Sequence, residues 1–287
     1  MWAIVGGSGF EKFEGVTKVL NLDRHTPFGE ASTGFKKIKI GEQECLFLPR
    51  HGENHELSPS EVNYRANIFA LKRAGALGVL SISAVGSLRA EFKPGDLVVP
   101  SQYIDRTKSH RAVSFCGDGL VGHVSLAHPV HKNLLKWVED VTQADRPDRT
   151  DCQVHLRKTY VCIEGPYFST QAESLSYIRM GADIIGMTNF PEFALAREAG
   201  LGYLPLSYVT DYDCWDDAIP HATLPEILKI MKENNQKAFQ LVEKLTNVPS
   251  DFWTTLNLSE GSLQNGLMTP PERIRPDQKE WLNILFA

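Results

Sequence analysis

The sequence predicts an α/β protein, one domain over residues 1–287 with a mixed central β-sheet flanked by helices and a peripheral C-terminal segment at 250–287. Two observations carry this. Short apolar runs that stop at glycine or proline alternate with longer stretches in which apolar residues recur every three or four positions. These are the periods of buried strands and of helices lying on a sheet. In addition, strand, helix and strand follow one another within about forty residues, as α/β architecture requires.

Each element follows in order. Residues 2–5 are apolar and stop at Gly6-Gly7-Ser8-Gly9, a buried strand feeding a tight turn. Glu44-Cys45-Leu46-Phe47-Leu48 is a second strand, closed by Pro49-Arg50-His51-Gly52. Val62, Ala66, Ile68, Phe69, Leu71 and Ala74 share one side of a helix over 60–75. Residues 78–86 return as a buried strand bounded by glycines. The later half repeats the alternation with strand 159–163, helix 170–181, strand 183–187, helix 191–200 and strand 203–209. Pro191 suits the first position of its helix, where no N–H is needed, and Gly200 suits the end. Thr223-Leu224-Pro225-Glu226 resembles a capping box opening a long amphipathic helix to about Leu245. The remainder is polar and proline-bearing, then apolar at Trp281-Leu282-Asn283-Ile284-Leu285-Phe286. No internal repeat or low-complexity linker divides the chain.

Composition narrows the function. Thirty Lys and Arg against 35 Asp and Glu give a net charge of −5. Nucleic acid is therefore not expected as a partner, because displacing condensed counterions rewards a basic surplus. No apolar run approaches the roughly 18 residues of a membrane span, so no membrane partner is expected either. The opening residues lack the basic start and apolar core of a secretory signal, and a cytoplasmic location is expected. The five cysteines are scattered without a CxxC pair, which suits reduced thiols better than a disulfide framework or a zinc knuckle.

Ligands of α/β sheets collect beyond the carboxyl ends of the strands, and five such ends carry distinctive residues. Gly-Gly-Ser-Gly can wrap backbone N–H groups around an oxyanion, with the Ser8 hydroxyl as a further donor. Arg50 offers a planar fork for two phosphate oxygens and His51 another donor. Ser83, beside Ala84, and Thr188 supply hydroxyls. Each feature alone also fits a plain turn or a surface pair; their recurrence at successive strand ends points to an anion. No constellation for Mg²⁺ accompanies them, so free phosphate is expected rather than a polyphosphate. The fifth end carries Asp211 and Asp213, two apart and so on one face of an extended chain. Two half-buried neighbouring carboxylates do not both ionise easily, and one pKa should rise. A protonated carboxyl can donate to a purine N7 while its neighbour accepts from a 6-amino group. A solvated acidic loop is the competing reading, because Asp216 and Asp217 follow.

With these residues in place, the chain resembles the trimeric purine nucleoside phosphorylase family. The likeness lies in Gly6-Gly7-Ser8-Gly9-Phe10, Thr26-Pro27-Phe28-Gly29, Arg50-His51-Gly52, Val62-Asn63-Tyr64-Arg65-Ala66-Asn67 and Gly86-Ser87-Leu88. It continues through Glu164-Gly165-Pro166-Tyr167-Phe168, Gly186-Met187-Thr188, Pro191-Glu192 and Ala196-Arg197-Glu198-Ala199-Gly200, in consistent order to about residue 245. Thr210-Asp211-Tyr212-Asp213-Cys214-Trp215 resembles the branch that acts on 5′-methylthioadenosine; branches for 6-oxopurines usually carry Asn in this segment.

The resemblance implies a nucleoside phosphorylase-like fold and conversion of 5′-methylthioadenosine and phosphate to adenine and 5-methylthioribose 1-phosphate. Phosphate would be a co-substrate, with no metal and no organic cofactor. It places phosphate at Ser8, Arg50, His51, Ser83, Ala84 and Thr188, the base at Asp211 and Asp213, the ribose at Met187, and Phe168 against the base. It also implies a homotrimer in which His123, in Gly122-His123-Val124, is lent to a neighbour's 5′ pocket. Tyr167 stands where the family often has Arg, and Gly186 where methylthioadenosine enzymes often have Asn. The alternatives are a phosphorylase for 6-oxopurine nucleosides, a hydrolytic nucleosidase, and a silent nucleoside-binding protein on the same scaffold.

Overall fold

The first apolar run forms β1 (Trp2–Gly6), buried at every position. The structure, a computed structural model, describes residues 1–7, 15–108, 111–144, 152–219 and 223–287. After β1 come β2 (Val16–Asn21), β3 (His25–Thr26), β4 (Gly29–Glu30), β5 (Lys36–Ile40), β6 (Gln43–Pro49), α1 (Tyr64–Arg73) and β7 (Gly78–Ser87). Then follow β8 (Leu97–Arg106), α2 (Lys132–Ala144), β9 (Val154–Ile163), α3 (Gln171–Arg179), β10 (Ile184–Gly186), α4 (Asn189–Glu198) and β11 (Gly202–Tyr212). The chain ends with α5 (Leu224–Thr246), α6 (Leu263–Gly266) and α7 (Pro276–Phe286).

Nine strands form one sheet in the order β10-β9-β8-β11-β7-β1-β6-β5-β2. Its centre is parallel, β6 with β1, β1 with β7 and β7 with β11, while β8 runs antiparallel to β11. The sheet is mixed, as expected. Side chains alternate between two cores, as strand geometry demands. Ala3, Val5, Leu46, Leu48, Val79 and Tyr203 face α1, α4 and α7. Trp2, Ile4, Phe47, Leu80, Leu204 and Leu206 face α2 and α5. Each fully buried aliphatic side chain contributes roughly 1.5–3 kcal/mol over an exposed one.

β7 changes neighbours along its length. Residues 78–81 pair with β1, whereas Gly86 and Ser87 pair with β10. Because β10 also pairs with β9, the strands β7, β11, β8, β9 and β10 close on themselves around Val85, Val98, Tyr160, Cys162, Ile184 and Val209. This closure gathers the ends of β7, β10 and β11.

The helix ends obey local chemistry. Asn63 accepts from the Ala66 N–H, so α1 starts later than the apolar period alone suggests. Thr170 and Glu173 cap α3 reciprocally. Phe190 is non-helical (φ −105°, ψ 132°), so regular helix begins at Pro191. Gly200 then takes φ +63°, a conformation that favours glycine. The C-terminal segment is not peripheral in its packing: Leu256, Leu263, Ile274, Trp281, Leu282 and Leu285 are buried in the two cores. Trp281, Leu282 and Leu285 fall on one side of α7, the side that meets α1.

Candidate active site

Arg50 follows β6 directly, and its N–H donates to the Gly6 carbonyl at 2.9 Å, tying the ends of β1 and β6 together. Its side chain is only 2% exposed, and the fork expected to meet phosphate is engaged inside the protein. Nε donates to Glu192 Oε2 (2.6 Å), and Nη2 to Glu192 Oε1 (2.8 Å) and Ser81 Oγ (2.7 Å). Nη1 donates to the Ile82 carbonyl at 3.2 Å. Only one Nη1 hydrogen remains for a ligand, because a guanidinium has five. The bidentate phosphate clamp expected of Arg50 is therefore replaced by a bidentate clamp on Glu192.

His51 also differs from expectation. Its Nδ1 lies 2.8 Å from the Leu57 carbonyl, which can only accept, so Nδ1 carries the hydrogen. Burial, reinforced by the Arg50 charge, lowers the imidazole pKa to about 4. The neutral ring presents an Nε2 lone pair, so His51 offers an anion an acceptor for a P–O–H group and not the further donor expected.

Ser83 is buried with its Oγ 3.3 Å from Ser207 Oγ, whereas Ala84 beside it is exposed in the middle of β7. That break in burial marks an opening at the end of the strand. Thr188 is buried at the start of α4, and its side chain makes no cap on that helix. Ser8 lies outside the described residues.

Asp211 and Asp213 come together. A Cβ placed on Gly86 would stand 3.6 Å from Asp211 Oδ2 and 3.5 Å from the Asp213 Cβ, so both aspartates border the same glycine. The pairing of β11 with β7 slips at Thr210: Val209 faces Val85, yet Asp211 faces Gly86. This bulge re-aims the strand end. The Thr210 hydroxyl sits 2.7 Å from Asp211 Oδ1. One pKa is raised, as expected: that of Asp211. Burial is the main cause and the Asp213 charge a lesser one, opposed by the Thr210 hydrogen bond. Asp213 has different company. The Ser174 hydroxyl donates to its Oδ2, and its N–H donates to the Ser87 carbonyl at 3.0 Å. Two carboxyls thus border one glycine, each accepting from a neighbouring hydroxyl, Thr210 on Asp211 and Ser174 on Asp213.

The remaining expected residues divide. Met187 follows β10, its sulfur against Gly165, and its carbonyl already accepts from Arg111 Nη1 at 2.7 Å. Phe168 is 74% exposed on the loop after β9, beside exposed Tyr167. His123 is exposed on another part of the molecule, where its N–H donates to the Gly266 carbonyl. A separate cavity of about 410 Å³, lined by Phe28, Arg65, Phe115, Arg275 and Trp281 among others, includes none of the expected site residues. Among the described residues no three His, Cys, Asp or Glu stand together as metal ligands. No described helix is long and apolar enough to cross a membrane.

A profile of the phosphorylase superfamily matches residues 2–247. The chain belongs to that superfamily. This phosphorylase is 42% identical over 286 residues to the S-methyl-5′-thioadenosine phosphorylase of Thermosynechococcus vestitus, spanning 99% of its own length and 97% of the relative's. It is 43% identical to the protein of that name from Rhodospirillum rubrum, spanning 98% and 94%. Among solved structures, a methylthioadenosine phosphorylase from an antarctic soil metagenomic library superposes with a TM-score of 0.87 at 40% identity, covering 100% of this chain and 98% of that one. The Schistosoma mansoni methylthioadenosine phosphorylase in complex with adenine gives 0.80 at 32% identity, covering 92% and 99%.

Two residues of this phosphorylase escape sequence reasoning altogether. Arg111, buried, reaches the Glu164 side chain and carbonyl and the Met187 and Phe190 carbonyls, joining the loops after β9 and β10. Ser174 projects from α3 onto Asp213. No local pattern marks either, because their partners lie 76 and 39 residues away in the chain.

Proposed function

We propose that the chain catalyses phosphorolysis of 5′-methylthioadenosine, giving adenine and 5-methylthioribose 1-phosphate. The observation that carries this is the placement of Asp211 and Asp213 together beside Gly86 at the end of β7. Relatives at about 40% identity over nearly their whole length bear the name of this activity.

Asp211, whose pKa burial raises, is the proton donor to N7 as the C1′–N9 bond breaks, so adenine leaves neutral; such general-acid help is typically about 10²- to 10⁴-fold. Asp213 accepts from the 6-amino group. Phosphate beneath the sugar faces the developing cation and forms the new C1′–O bond, the encounter being made intramolecular by prior binding. Thr188, Ser83, Ser8, the Ala84 backbone and the single spare Arg50 hydrogen form its cradle, with His51 Nε2 accepting from a protonated phosphate oxygen. Met187 lines the ribose, and Phe168, exposed in one chain, closes over the base. No metal and no organic cofactor enters this reaction. A 6-oxopurine fits less well, since the Asp213 carboxylate would face O6 with like polarity. The His123 segment serves a neighbouring subunit's 5′ pocket in a homotrimer, and the protein works in the cytoplasm.

The test is adenine release from 5′-methylthioadenosine with and without phosphate. Release that requires phosphate supports the reading. Equal release without phosphate makes the protein a hydrolase, and no release in either condition removes the activity.

A further inference from the structure

We propose that Trp215 is a positioning residue whose indole N–H fixes the direction of Asp213 and thereby sharpens the choice of a 6-aminopurine. The inference rests on the reading of Asp213 as the acceptor of the 6-amino group. The Ser87 carbonyl, one residue beyond the glycine that both aspartates border, accepts two hydrogen bonds. The Asp213 N–H donates to it at 3.0 Å and the Trp215 Nε1–H at 2.9 Å. A carbonyl oxygen has two lone pairs and can serve both donors. Trp215 is half-buried, its ring packed on the apolar cluster that includes Leu88, Val161 and Ile185. An indole nitrogen only donates, so a tryptophan in such a place needs an acceptor of this kind.

These two bonds close a ring. It runs from the Asp213 N–H along the backbone to Trp215, out through the indole and back to the same oxygen. Both soft torsions of Asp213, φ and ψ, lie inside that ring, so neither turns freely while both bonds hold. The carboxyl springs from the Cα between those torsions, and its direction is set before any purine arrives. The Cys214 thiol, midway round the ring, donates to the Ser169 carbonyl at 3.1 Å, which brings the loop carrying Phe168 to the same turn. The Ser174 hydroxyl holds the tip of the Asp213 side chain at Oδ2. Trp215 thus governs the backbone from which the carboxyl departs, and Ser174 its far end. A tryptophan that only filled space would affect stability and every substrate alike, not the choice between an amino and an oxo group at C6.

The experiment uses purified full-length protein and the variants Trp215→Phe, Trp215→His and Asp213→Asn, with Trp215→Phe also combined with Asp213→Asn. Trp215→Phe keeps an aromatic ring and removes the N–H. Trp215→His loses the larger ring but carries Nε2 where the indole carries Nε1. The readout is the ratio of kcat/KM for 5′-methylthioadenosine to that for 5′-methylthioinosine at saturating phosphate. Trp215→Phe should lower it roughly three- to tenfold, the scale of one hydrogen bond, with phosphate KM within about twofold. Trp215→His should lose less of the ratio, although it fills less space. In the Asp213→Asn background, Trp215→Phe should alter the ratio less than about twofold. An unchanged ratio in Trp215→Phe overturns the proposal, as does an equal or greater loss in Trp215→His, or an equal effect with and without the Asp213 carboxyl. Calorimetric titration of the same proteins with adenine and with hypoxanthine separates this role from the reading beneath it. If wild type releases no adenine yet binds adenine more tightly than hypoxanthine, phosphorolysis fails as the function, and the same comparison of bases still decides the role of Trp215. If wild type does not prefer adenine, Asp213 does not read the 6-amino group and the proposal falls with it.

Discussion

Arg50 and Glu192 meet as fork and carboxylate in the core, Nε 2.6 Å from one oxygen and Nη2 2.8 Å from the other, with both side chains 2% exposed. Removing one partner of such a pair leaves a buried charge uncompensated, at a cost of about 3–5 kcal/mol. Arg50→Ala should lose that much unfolding free energy in urea titration at neutral pH. A variant as stable as wild type, with only its phosphate KM raised, would return the fork to the ligand.

Asp211→Asn should separate activity from stability. The raised pKa means the fold favours the protonated carboxyl: this stability is present at low pH and is lost as pH rises through the folded-state pKa. Asparagine stays neutral, so the variant should melt no lower than wild type at pH 7 while kcat falls about 10²- to 10⁴-fold. Thermal unfolding with steady-state assay checks both. A destabilised but fully active variant contradicts the assignment.

Ser174 acts one step behind. Ser174→Ala deletes the hydroxyl donating to Asp213 and should lower kcat/KM for 5′-methylthioadenosine about tenfold, the scale of one hydrogen bond. Phosphate KM should stay unchanged, because Ser174 touches the base side of the site. A selective effect on phosphate would refute this division.

The His51 pKa predicts a pH-dependent stability term. Its folded-state value of about 4 lies below the unfolded value, so the unfolded chain takes up a proton first as pH falls. Stability from this group is intact above about pH 6.5 and is lost progressively toward pH 4, by roughly 3 kcal/mol at most. Urea titrations at pH 7 and pH 5 should show a steeper loss for wild type than for His51→Gln. Parallel losses in the two proteins would remove His51 as the source.

What the sequence made legible follows from how local each signal is. β1, β6 and β7 are continuous apolar runs with glycine or proline at their ends, and their strand-end residues could be picked out directly. β8 is hidden because Pro100 interrupts it, and its pairing with β9 shifts register around that proline. The shared position of Asp211 and Asp213 was readable from their spacing. The bulge at Thr210 was not, because register belongs to two strands at once. Arg50 was recognisable as a strand-end arginine, but its direction is set by Glu192, 142 residues away.

The central claim is that the aspartate pair selects a 6-aminopurine. Its most direct test is the ratio of kcat/KM for 5′-methylthioadenosine to that for 5′-methylthioinosine at saturating phosphate, measured for wild type and Asp213→Asn. A ratio of about 10² or more in wild type, narrowed in the variant, is the predicted result. Equal turnover of the two nucleosides by wild type, or a ratio untouched by Asp213→Asn, would contradict it.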